Sequence, residues 1–385
     1  MHTYTHEIPS GHGLSALVVD DDPDINRLIL ARLSVLGFTI TAAPNGEVAL
    51  RLMADKPADL VFLDVALPGI SGLEVLDSIR SSGYDTAVIM TTAYGSERVA
   101  IDALRRGADD YLRKPFEPIE FKAVLRRTTA RLLLNRQNTM LHHQLEEKSA
   151  QLEQELANAA KVQSDLLPRS MPIIPGFELA AECVPAREVG GDFYDWRQPS
   201  ADTTAFWLCD VMGKGMSAAL LMATVRAVMR AVVRHSTPSE AMQYVTAALD
   251  DDFDRTSRFV TLFLGQLHGP TRQLRYVDAG HGHVFLRRAS GKIEMLSERG
   301  MPVGVMPNTV YGEGSITFSP GDALLVYSDG VIDARPELEL TPKTLARHLD
   351  GAGSAWAMVD RIVGLLSPIG VPPDDFTIMA LRCLE

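Results

Sequence analysis

Acidic residues follow apolar runs at two places in the first part of this 385-residue chain. Asp20, Asp21 and Asp22 come directly after the first apolar run, and Asp64 ends the third. Carboxylates that converge repel one another unless a cation lies among them, and Mg²⁺ prefers oxygen ligands. With such an ion bound, one carboxylate can act as a nucleophile toward phosphorus. The alternative is that the three neighbouring aspartates only cap the helix that follows them.

Two further polar residues follow later apolar runs of the same region. Thr92 ends the run that begins at residue 87, and Lys114 comes shortly after the run at 111–112. A lysine there would neutralise the charge of a transferred phosphoryl group, and a threonine hydroxyl could donate a hydrogen bond to it. The capping alternative leaves Asp64, Thr92 and Lys114 without an explanation, so we favour a phosphoryl site.

The second half of the chain repeats the pattern of aspartates at the ends of strand-like runs. These are Asp192, Asp210, Asp329 and Asp374, and the glycines near three of them are Gly190, Gly191, Gly213, Gly215 and Gly330. Two divalent ions held by such carboxylates can clamp a phosphate for in-line attack, and glycine lets backbone approach closely. Taken singly, each aspartate is a turn or cap residue. Taken as a set, they predict a two-metal hydrolytic site.

Two other patterns in this half are less informative. The segment Gly213-Lys214-Gly215 lacks the GxxxxGK[ST] spacing of a nucleotide-binding loop, so we discount that function. His281 and His283 could form a transition-metal pair, but we favour a polar loop near the cleft.

The elements that must position these residues differ between the two halves. Over residues 14–134, apolar runs alternate with amphipathic ones, which predicts an α/β domain with a doubly wound, five-stranded parallel sheet and helices on both faces. Ligands of such sheets lie at the carboxyl ends of the strands. From residue 171, strand-like runs joined by glycine-containing turns predict an α+β domain of two packed sheets flanked by helices.

One long helix is predicted between the two domains, because residues 119–167 contain neither glycine nor proline. Its second part has a heptad pattern, with Leu134, Leu141 and Val162 in one row and Leu145, Leu152, Ala159 and Leu166 in the other. Lys148 and Glu155 weaken the first row, so we expect a marginal coiled coil and a homodimer. The alternative is a solvated spacer that pairs with nothing.

The totals exclude several classes of protein. The net charge of −12, with no basic stripe, argues against nucleic-acid binding. Cys183, Cys209 and Cys383 lie far apart, which fits reduced thiols in a cytoplasmic protein. Residues 1–13 have no apolar core, so we expect a disordered tail and no signal peptide. No run is long and apolar enough to predict a membrane span.

Four motifs of the first domain, in order and with the family's spacing, resemble the response-regulator receiver family. They are LVVDDDPDI, LVFLDVALPGISG, VIMTTAYG and ADDYLRKPF. The resemblance implies that Asp64 is the phosphoacceptor and that Asp20, Asp21, Asp64 and the Ala66 carbonyl bind Mg²⁺. It also implies that Thr92 and Tyr111 form a switch pair, that Lys114 contacts the phosphoryl group before a cis proline, and that a histidine kinase or phosphotransfer protein is the donor.

The second domain is similar to the SpoIIE-type branch of the PPM family of metal-dependent serine/threonine phosphatases. The motifs are VGGDFYD, CDVMGKGMSAAL, DAGHGH, GMPVG, YSDGVIDAR and DDFTIMAL, and AAKVQSDLLP resembles the helix that enters such domains. The resemblance implies that Asp192, Asp210, Asp329, Asp374 and the Val211 carbonyl hold two Mn²⁺ or Mg²⁺ ions. Asp195, Asp333 and Asp375 are weaker candidates, and Arg187 is a possible phosphate-orienting residue. Phosphorylated anti-sigma-factor antagonists are the implied substrates.

The sequence therefore predicts a receiver domain over 14–134, a helical coiled-coil linker over 135–170 and a phosphatase domain over 171–385. The predicted function is dephosphorylation of a phosphoserine or phosphothreonine on a partner protein, controlled by phosphorylation of Asp64. The alternative is a receiver-controlled adaptor whose phosphatase-like domain is inactive and binds a regulatory partner.

Overall fold

The computed structural model describes residues 13–93, 97–366 and 372–384. Contacts divide the chain into two compact units, 1–149 and 150–385, which are described separately. The predicted tail at 1–13 lies, except for Gly13, outside the described residues. In the described part of the chain, no helix combines the length and apolarity that a bilayer span requires.

The first unit is the predicted parallel α/β domain. Its strands are β1 (Ser15–Val19), β2 (Thr39–Ala43), β3 (Leu60–Asp64), β4 (Ala87–Thr92) and β5 (Asp110–Arg113), in the order β2-β1-β3-β4-β5. Its helices are α1 (Pro23–Val35), α2 (Gly46–Asp55), α3 (Gly72–Ser81), α4 (Glu97–Arg105) and the start of α5 (Pro118–Leu166). Strands β3 and β4 are buried throughout, because apolar side chains pack against helices on both faces of the sheet.

Helix α5 runs for 49 residues, close to the predicted bounds, and no glycine or proline follows Pro118 within it. Its buried positions all lie in the first part, which packs in the first unit: Phe121, Val124, Leu125, Thr128, Thr129 and Leu132. Beyond them the predicted seam is exposed in the single chain. Leu145 is 67% and Leu152 59% exposed. Dimerisation through this seam stays a prediction.

The second unit contains two antiparallel sheets. The first has the order β13-β10-β9-β8-β7 and the second β12-β11-β14-β15-β6. The strands are β6 (Phe177–Val184), β7 (Phe193–Ser200), β8 (Thr203–Val211), β9 (Val260–His268), β10 (Gln273–Ala279), β11 (Val284–Arg287), β12 (Ile293–Met295), β13 (Gly314–Thr317), β14 (Ala323–Tyr327) and β15 (Phe376–Cys383). Strands β6, β7, β12 and β13 were not among the runs predicted from the sequence, because polar residues interrupt the first two and the last two have only three or four residues.

This unit is an α-β-β-α sandwich, as predicted, with an apolar core between each pair of neighbouring layers. One core lies between the two sheets. Another lies between the first sheet and helices α6 (Met216–Val232) and α7 (Pro238–Thr256). The third lies between the second sheet and the helices α8 (Gly330–Asp333), α9 (Pro342–His348) and α10 (Ala355–Leu366).

Candidate functional sites

The acidic residues of the first unit converge at the carboxyl edge of its sheet. Asp20 follows β1 and Asp64 ends β3, and both are buried, whereas Asp21 is exposed. One ligand oxygen from each of the three lies within 4.8 Å of the others. Within the described ranges, this is the only group of three or more acidic, His or Cys side chains that meet so closely. Burial raises the pKa of Asp20 and the charge of Asp64 adds to the effect, although the hydrogen bonds from Lys114 and from the Asp22 N–H oppose it.

Lys114 lies between the two buried carboxylates. Its Nζ is 2.7 Å from Asp20 Oδ2 and 2.8 Å from Asp64 Oδ2. Burial disfavours the ammonium charge, but hydrogen bonds to both aspartates outweigh it and raise the pKa of Lys114. The lysine is therefore held as a cation beside Asp64, where an incoming anionic group would meet it. Its peptide bond to Pro115 is cis, as the resemblance implied.

The capping alternative holds for one of the three neighbouring aspartates only. The Asp22 side chain accepts a hydrogen bond from the Asp24 N–H at 2.8 Å and caps α1. Asp20 instead points into the acidic cluster, although its Oδ1 also accepts the Asp22 N–H. Local capping therefore explains Asp22 and leaves Asp20 for the site.

The remaining predicted residues of this site lie around the same sheet edge. Thr92 is buried at the end of β4. Tyr111 is half-buried on β5, opposite Met90 of β4. Ala66 is exposed in the loop after β3. Close packing fixes that loop, since a Cβ on Gly72 would lie 1.9 Å from the Asp64 carbonyl oxygen.

In the second unit, strand pairing brings Asp192 and Asp210 together. The antiparallel register pairs Phe193 with Cys209, so that Asp192 lies opposite Asp210 one step further on. Alternation along the strands puts both side chains on the face that packs between the two sheets. Asp192 is 5% exposed, and its Oδ2 is buried with no hydrogen-bond partner among the described residues.

The pKa values of this pair report strong crowding of negative charge. Burial first, and then the charge of Asp210, raises the pKa of Asp192 well above its usual range. Burial first, and then the charge of Asp329, raises the pKa of Asp210 to about 7. Two carboxyl groups in this state share a proton unless a cation stabilises both charges.

Asp329 and Asp374 come from the neighbouring strands β14 and β15 of the other sheet. Asp329 follows β14, and Asp374 precedes β15 by two residues. Burial raises the pKa of Asp329, and the charges of Asp333 and Asp374 add to the effect. Asp374 Oδ2 lies 2.9 Å from Lys214 Nζ, which places the glycine-flanked lysine at the site and not in a nucleotide loop.

Glycines permit the close backbone approach that sequence analysis expected. A Cβ on Gly191 would lie 2.7 Å from the Val211 carbonyl oxygen, the candidate backbone ligand. A Cβ on Gly190 would lie 2.5 Å from Asp375 Oδ2, and one on Gly330 would lie 1.9 Å from the Asp375 carbonyl oxygen. Any side chain at these positions would push apart the strands that carry the aspartates.

The weaker candidates make contacts that explain them structurally. Asp375 accepts the Ala186 N–H at 2.8 Å and the Gly191 N–H at 2.7 Å, so it ties the start of β15 to the Gly190–Gly191 turn. Asp195 is 1% exposed and forms ion pairs with Arg226 and Arg230. Both aspartates therefore stabilise the fold around the site.

The other side chains singled out from the sequence lie as follows. Asp333 and Arg187 are exposed. His281 is buried, its Nδ1 is 3.2 Å from Thr261 Oγ1, and burial lowers its pKa to about 3. Burial also lowers the pKa of His283. The two rings meet edge to face with centroids 6.0 Å apart, which is a polar loop packed on itself and not two imidazoles converging on one ion.

Gln163 has no role predicted from the sequence, although it lies in the motif that resembles the entering helix. Its side chain makes two hydrogen bonds to one residue: Nε2 donates to the Gly190 carbonyl at 2.7 Å, and Oε1 accepts the Gly190 N–H at 3.0 Å. The end of α5 is therefore fixed to the turn that carries Asp192. Only its place in the motif could have pointed to it.

The donor set of each cluster fits a divalent cation. All the donors are carboxylate or carbonyl oxygens, which hard cations such as Mg²⁺ prefer. In the second unit, the unpartnered buried Asp192 Oδ2 and the raised pKa values of the acid pair indicate a site that needs positive charge. In the first unit, the three convergent aspartates indicate the same.

Each half of the chain matches a known protein family. Residues 16–126 match the response regulator receiver domain, and residues 200–384 match Stage II sporulation protein E (SpoIIE). Residues 16–126 thus form a receiver domain, and residues 200–384 form a domain of the SpoIIE type. The SiaA-PP2C domain of Pseudomonas aeruginosa has the fold of the second unit, with a TM-score of 0.51 at 19% identity, over 61% of this chain and 98% of that one.

Two curated relatives resemble the chain in part. Protein IcfG of Synechocystis sp. is 31% identical over 208 residues, which cover 47% of this chain and 33% of that protein. The transcriptional regulatory protein KdpE of Mycobacterium tuberculosis is 43% identical over 119 residues, which cover 30% of this chain and 52% of that protein. In these two relatives and six others, the segment that matches this chain covers 28–53% of the relative's own length.

Proposed function

We propose that this protein is a receiver-controlled, metal-dependent serine/threonine protein phosphatase. The observation that carries the proposal is the pair of buried Asp192 and half-buried Asp210, which the register of β7 and β8 puts opposite each other. Both aspartates have raised pKa values, and the charges of Asp329 and Asp374 act on Asp210. Burial of these carboxylates in their charged form is costly unless a cation pairs with them.

In the phosphatase domain, Asp192, Asp210, Asp329, Asp374 and the Val211 carbonyl would hold two Mn²⁺ or Mg²⁺ ions. Bound there, the ions would lower the pKa of water and neutralise the phosphate charge. The chain itself supplies the geometry. The register of β7 and β8 fixes the acid pair, and Asp375 fixes the Gly190–Gly191 turn by accepting two backbone N–H groups.

In the receiver domain, Asp64 would attack the phosphorus of a phosphohistidine on a histidine kinase or phosphotransfer protein. The phosphorus–nitrogen bond would break, and the donor's imidazole would leave. Asp20, Asp21 and the Ala66 carbonyl would share a Mg²⁺ ion with it. Lys114, already 2.8 Å from Asp64 Oδ2, would neutralise the phosphoryl charge. Thr92 would donate a hydrogen bond to the phosphoryl group, and Tyr111 would change orientation with it.

The end of α5 would carry the regulatory signal into the phosphatase domain. Gln163 holds both polar groups of the Gly190 peptide backbone, two residues before Asp192. A shift of the helix would therefore move the strand end that carries a candidate metal ligand. Pairing of two chains along the exposed rows that contain Leu145 and Leu152 would make a homodimer respond as one unit.

The proposed substrate is a phosphoserine or phosphothreonine on a partner protein, an anti-sigma-factor antagonist. The resemblance of the second domain to SpoIIE-type phosphatases supports this substrate class. All four candidate aspartates are present in the sequence, which favours an enzyme over an inactive adaptor.

The test is hydrolysis of p-nitrophenyl phosphate by the full-length protein with and without Mn²⁺. We expect Mn²⁺-dependent turnover that falls at least 100-fold in Asp210→Asn and in Asp329→Asn. Asp251→Asn, which changes an exposed aspartate of α7, is the matched control and should retain wild-type turnover. Equal inactivity of the wild type and both site variants would refute the enzyme and favour the adaptor.

A further inference from the structure

A group of exposed apolar side chains lies on the segments next to the candidate phosphatase site. They are Met212, Met216, Leu220, Met301, Val305 and Met306, with exposed fractions of 41–65%, and together they are called the apolar rim. Four of the six are methionines. Clusters of exposed apolar residues mark interaction sites, and methionine suits surfaces that accept varied apolar partners.

Backbone contacts connect the segments that carry the apolar rim. The Met212 N–H donates to the Phe259 carbonyl at 3.0 Å, and Arg258 donates to the Met212 carbonyl at 2.7 Å. Val260 and Val303 exchange two backbone hydrogen bonds at 3.0 and 2.9 Å. The loop before α6 and the loop at 300–307 therefore flank the same strand entry at 258–260.

The apolar rim starts at the candidate metal site itself. Met212 directly follows Val211, whose carbonyl is a candidate ligand, and Val211 pairs with Val260 in the sheet. Met216 and Leu220 lie four residues apart at the start of α6, so they share one face of that helix. A polypeptide that places a phosphoserine at Asp210 and Asp329 must run over the surface next to it.

The composition of the rim loop indicates what kind of chain would fit. Residues 300–307, GMPVGVMP, contain no charged side chain, in a protein with 22% charged residues. The loop is also held in place, by the Val303 contacts and by the Gly300 N–H, which donates to the Asp278 carbonyl at 2.7 Å. A surface fixed before binding costs less entropy to use.

We propose that the apolar rim binds apolar side chains flanking the phosphorylated residue of the protein substrate. This inference rests on the proposed function and adds a specificity determinant to it. Burial of two or three such side chains would favour substrates with apolar flanks, and small phosphate esters would not use the surface.

The test compares three substrates of the full-length protein with Mn²⁺. They are a phosphoserine peptide flanked by Leu and Ile, the same peptide flanked by Ser and Gly, and p-nitrophenyl phosphate. We expect the wild type to show at least tenfold higher kcat/KM on the apolar peptide than on the polar one. In Leu220→Glu and in Met306→Glu, the ratio of kcat/KM for the apolar peptide to that for p-nitrophenyl phosphate should fall at least tenfold. Trp356→Glu, which changes a 52% exposed side chain on α10, should keep the wild-type ratio.

Two outcomes would overturn the role of the apolar rim, and a third would overturn the proposed function. Equal kcat/KM for both peptides in an active wild type would exclude the apolar rim as a specificity surface and leave the phosphatase assignment intact. An unchanged ratio in both rim variants would do the same. A wild type inactive on all three substrates would instead refute the proposed function.

Discussion

Replacement of Asp210 by asparagine should stabilise the metal-free protein, although it should abolish activity. In the folded chain, burial and the charge of Asp329 raise the pKa of Asp210 from its ordinary value of 3.8 to about 7. A group whose pKa is higher in the folded state contributes stability at low pH, and this stability is lost as the pH rises through the folded pKa. The wild type in EDTA should therefore lose stability between about pH 4 and pH 7.

The magnitude follows from the size of the shift. A rise of about 3 pKa units at about 1.36 kcal/mol per unit gives a ceiling of about 4 kcal/mol. The asparagine side chain of the Asp210→Asn variant would not titrate, and its amide could still hydrogen-bond to Asp192. At pH 8 in EDTA, the variant should therefore be more stable than the wild type by up to about 4 kcal/mol, or roughly 8–16 °C in the Tm of a domain of this size.

The assay is differential scanning calorimetry of both full-length proteins in EDTA from pH 4 to pH 8, repeated with Mn²⁺. The difference in Tm should grow with pH, and Mn²⁺ should raise the Tm of the wild type far more than that of Asp210→Asn. Asp195→Asn is the opposing control. It removes the partner of the half-buried Arg226 and Arg230, so it should lower the Tm across the whole pH range.

A Tm of Asp210→Asn at or below that of the wild type at pH 8 in EDTA would refute this reasoning. It would mean that burial and the charge of Asp329 do not destabilise the ionised Asp210, and the principal argument for a cation site in this domain would be lost.

Two further predictions concern the receiver and the helix. Asp64→Asn should abolish labelling by radioactive acetyl phosphate, because the variant loses the carboxylate that lies 2.8 Å from Lys114 at the end of β3. Asp22→Asn, which changes only the helix cap, should be labelled normally. Label that persists in Asp64→Asn would mean that another residue accepts the phosphoryl group. Leu145→Lys combined with Leu152→Lys should raise the Kd of the dimer at least tenfold, which sedimentation velocity would detect as a shift toward monomer. Lysines at Ala150 and Ala157, which lie outside the heptad rows, should not have this effect. Equal sedimentation of both double variants would exclude the coiled coil.

Much of the fold could be predicted from the sequence because its signals are local. The buried runs of β3 and β4 alternate with amphipathic helices, and α5 lacks any residue that stops a helix before Pro168. Strands β6 and β7 were missed because Glu182, Asp195 and Arg197 interrupt their apolar pattern. Asp195 is buried in β7 only because two arginines of α6 reach it, and no pattern within the strand encodes that contact.

The residue types of both candidate sites were determined by the sequence itself. The sequence alone shows the aspartates at strand ends, the glycines beside them and the motifs that resemble the two families. Which aspartates meet was decided by tertiary structure. Asp192 and Asp210 face each other through the register of β7 and β8, whereas Asp375 turns its carboxylate to backbone N–H groups. Tertiary structure also decided the two hydrogen bonds between the Gln163 side chain and the Gly190 backbone. Contacts of this kind depend on how distant segments pack, and side-chain spacing along one segment carries no information about the partner that a fold brings to it.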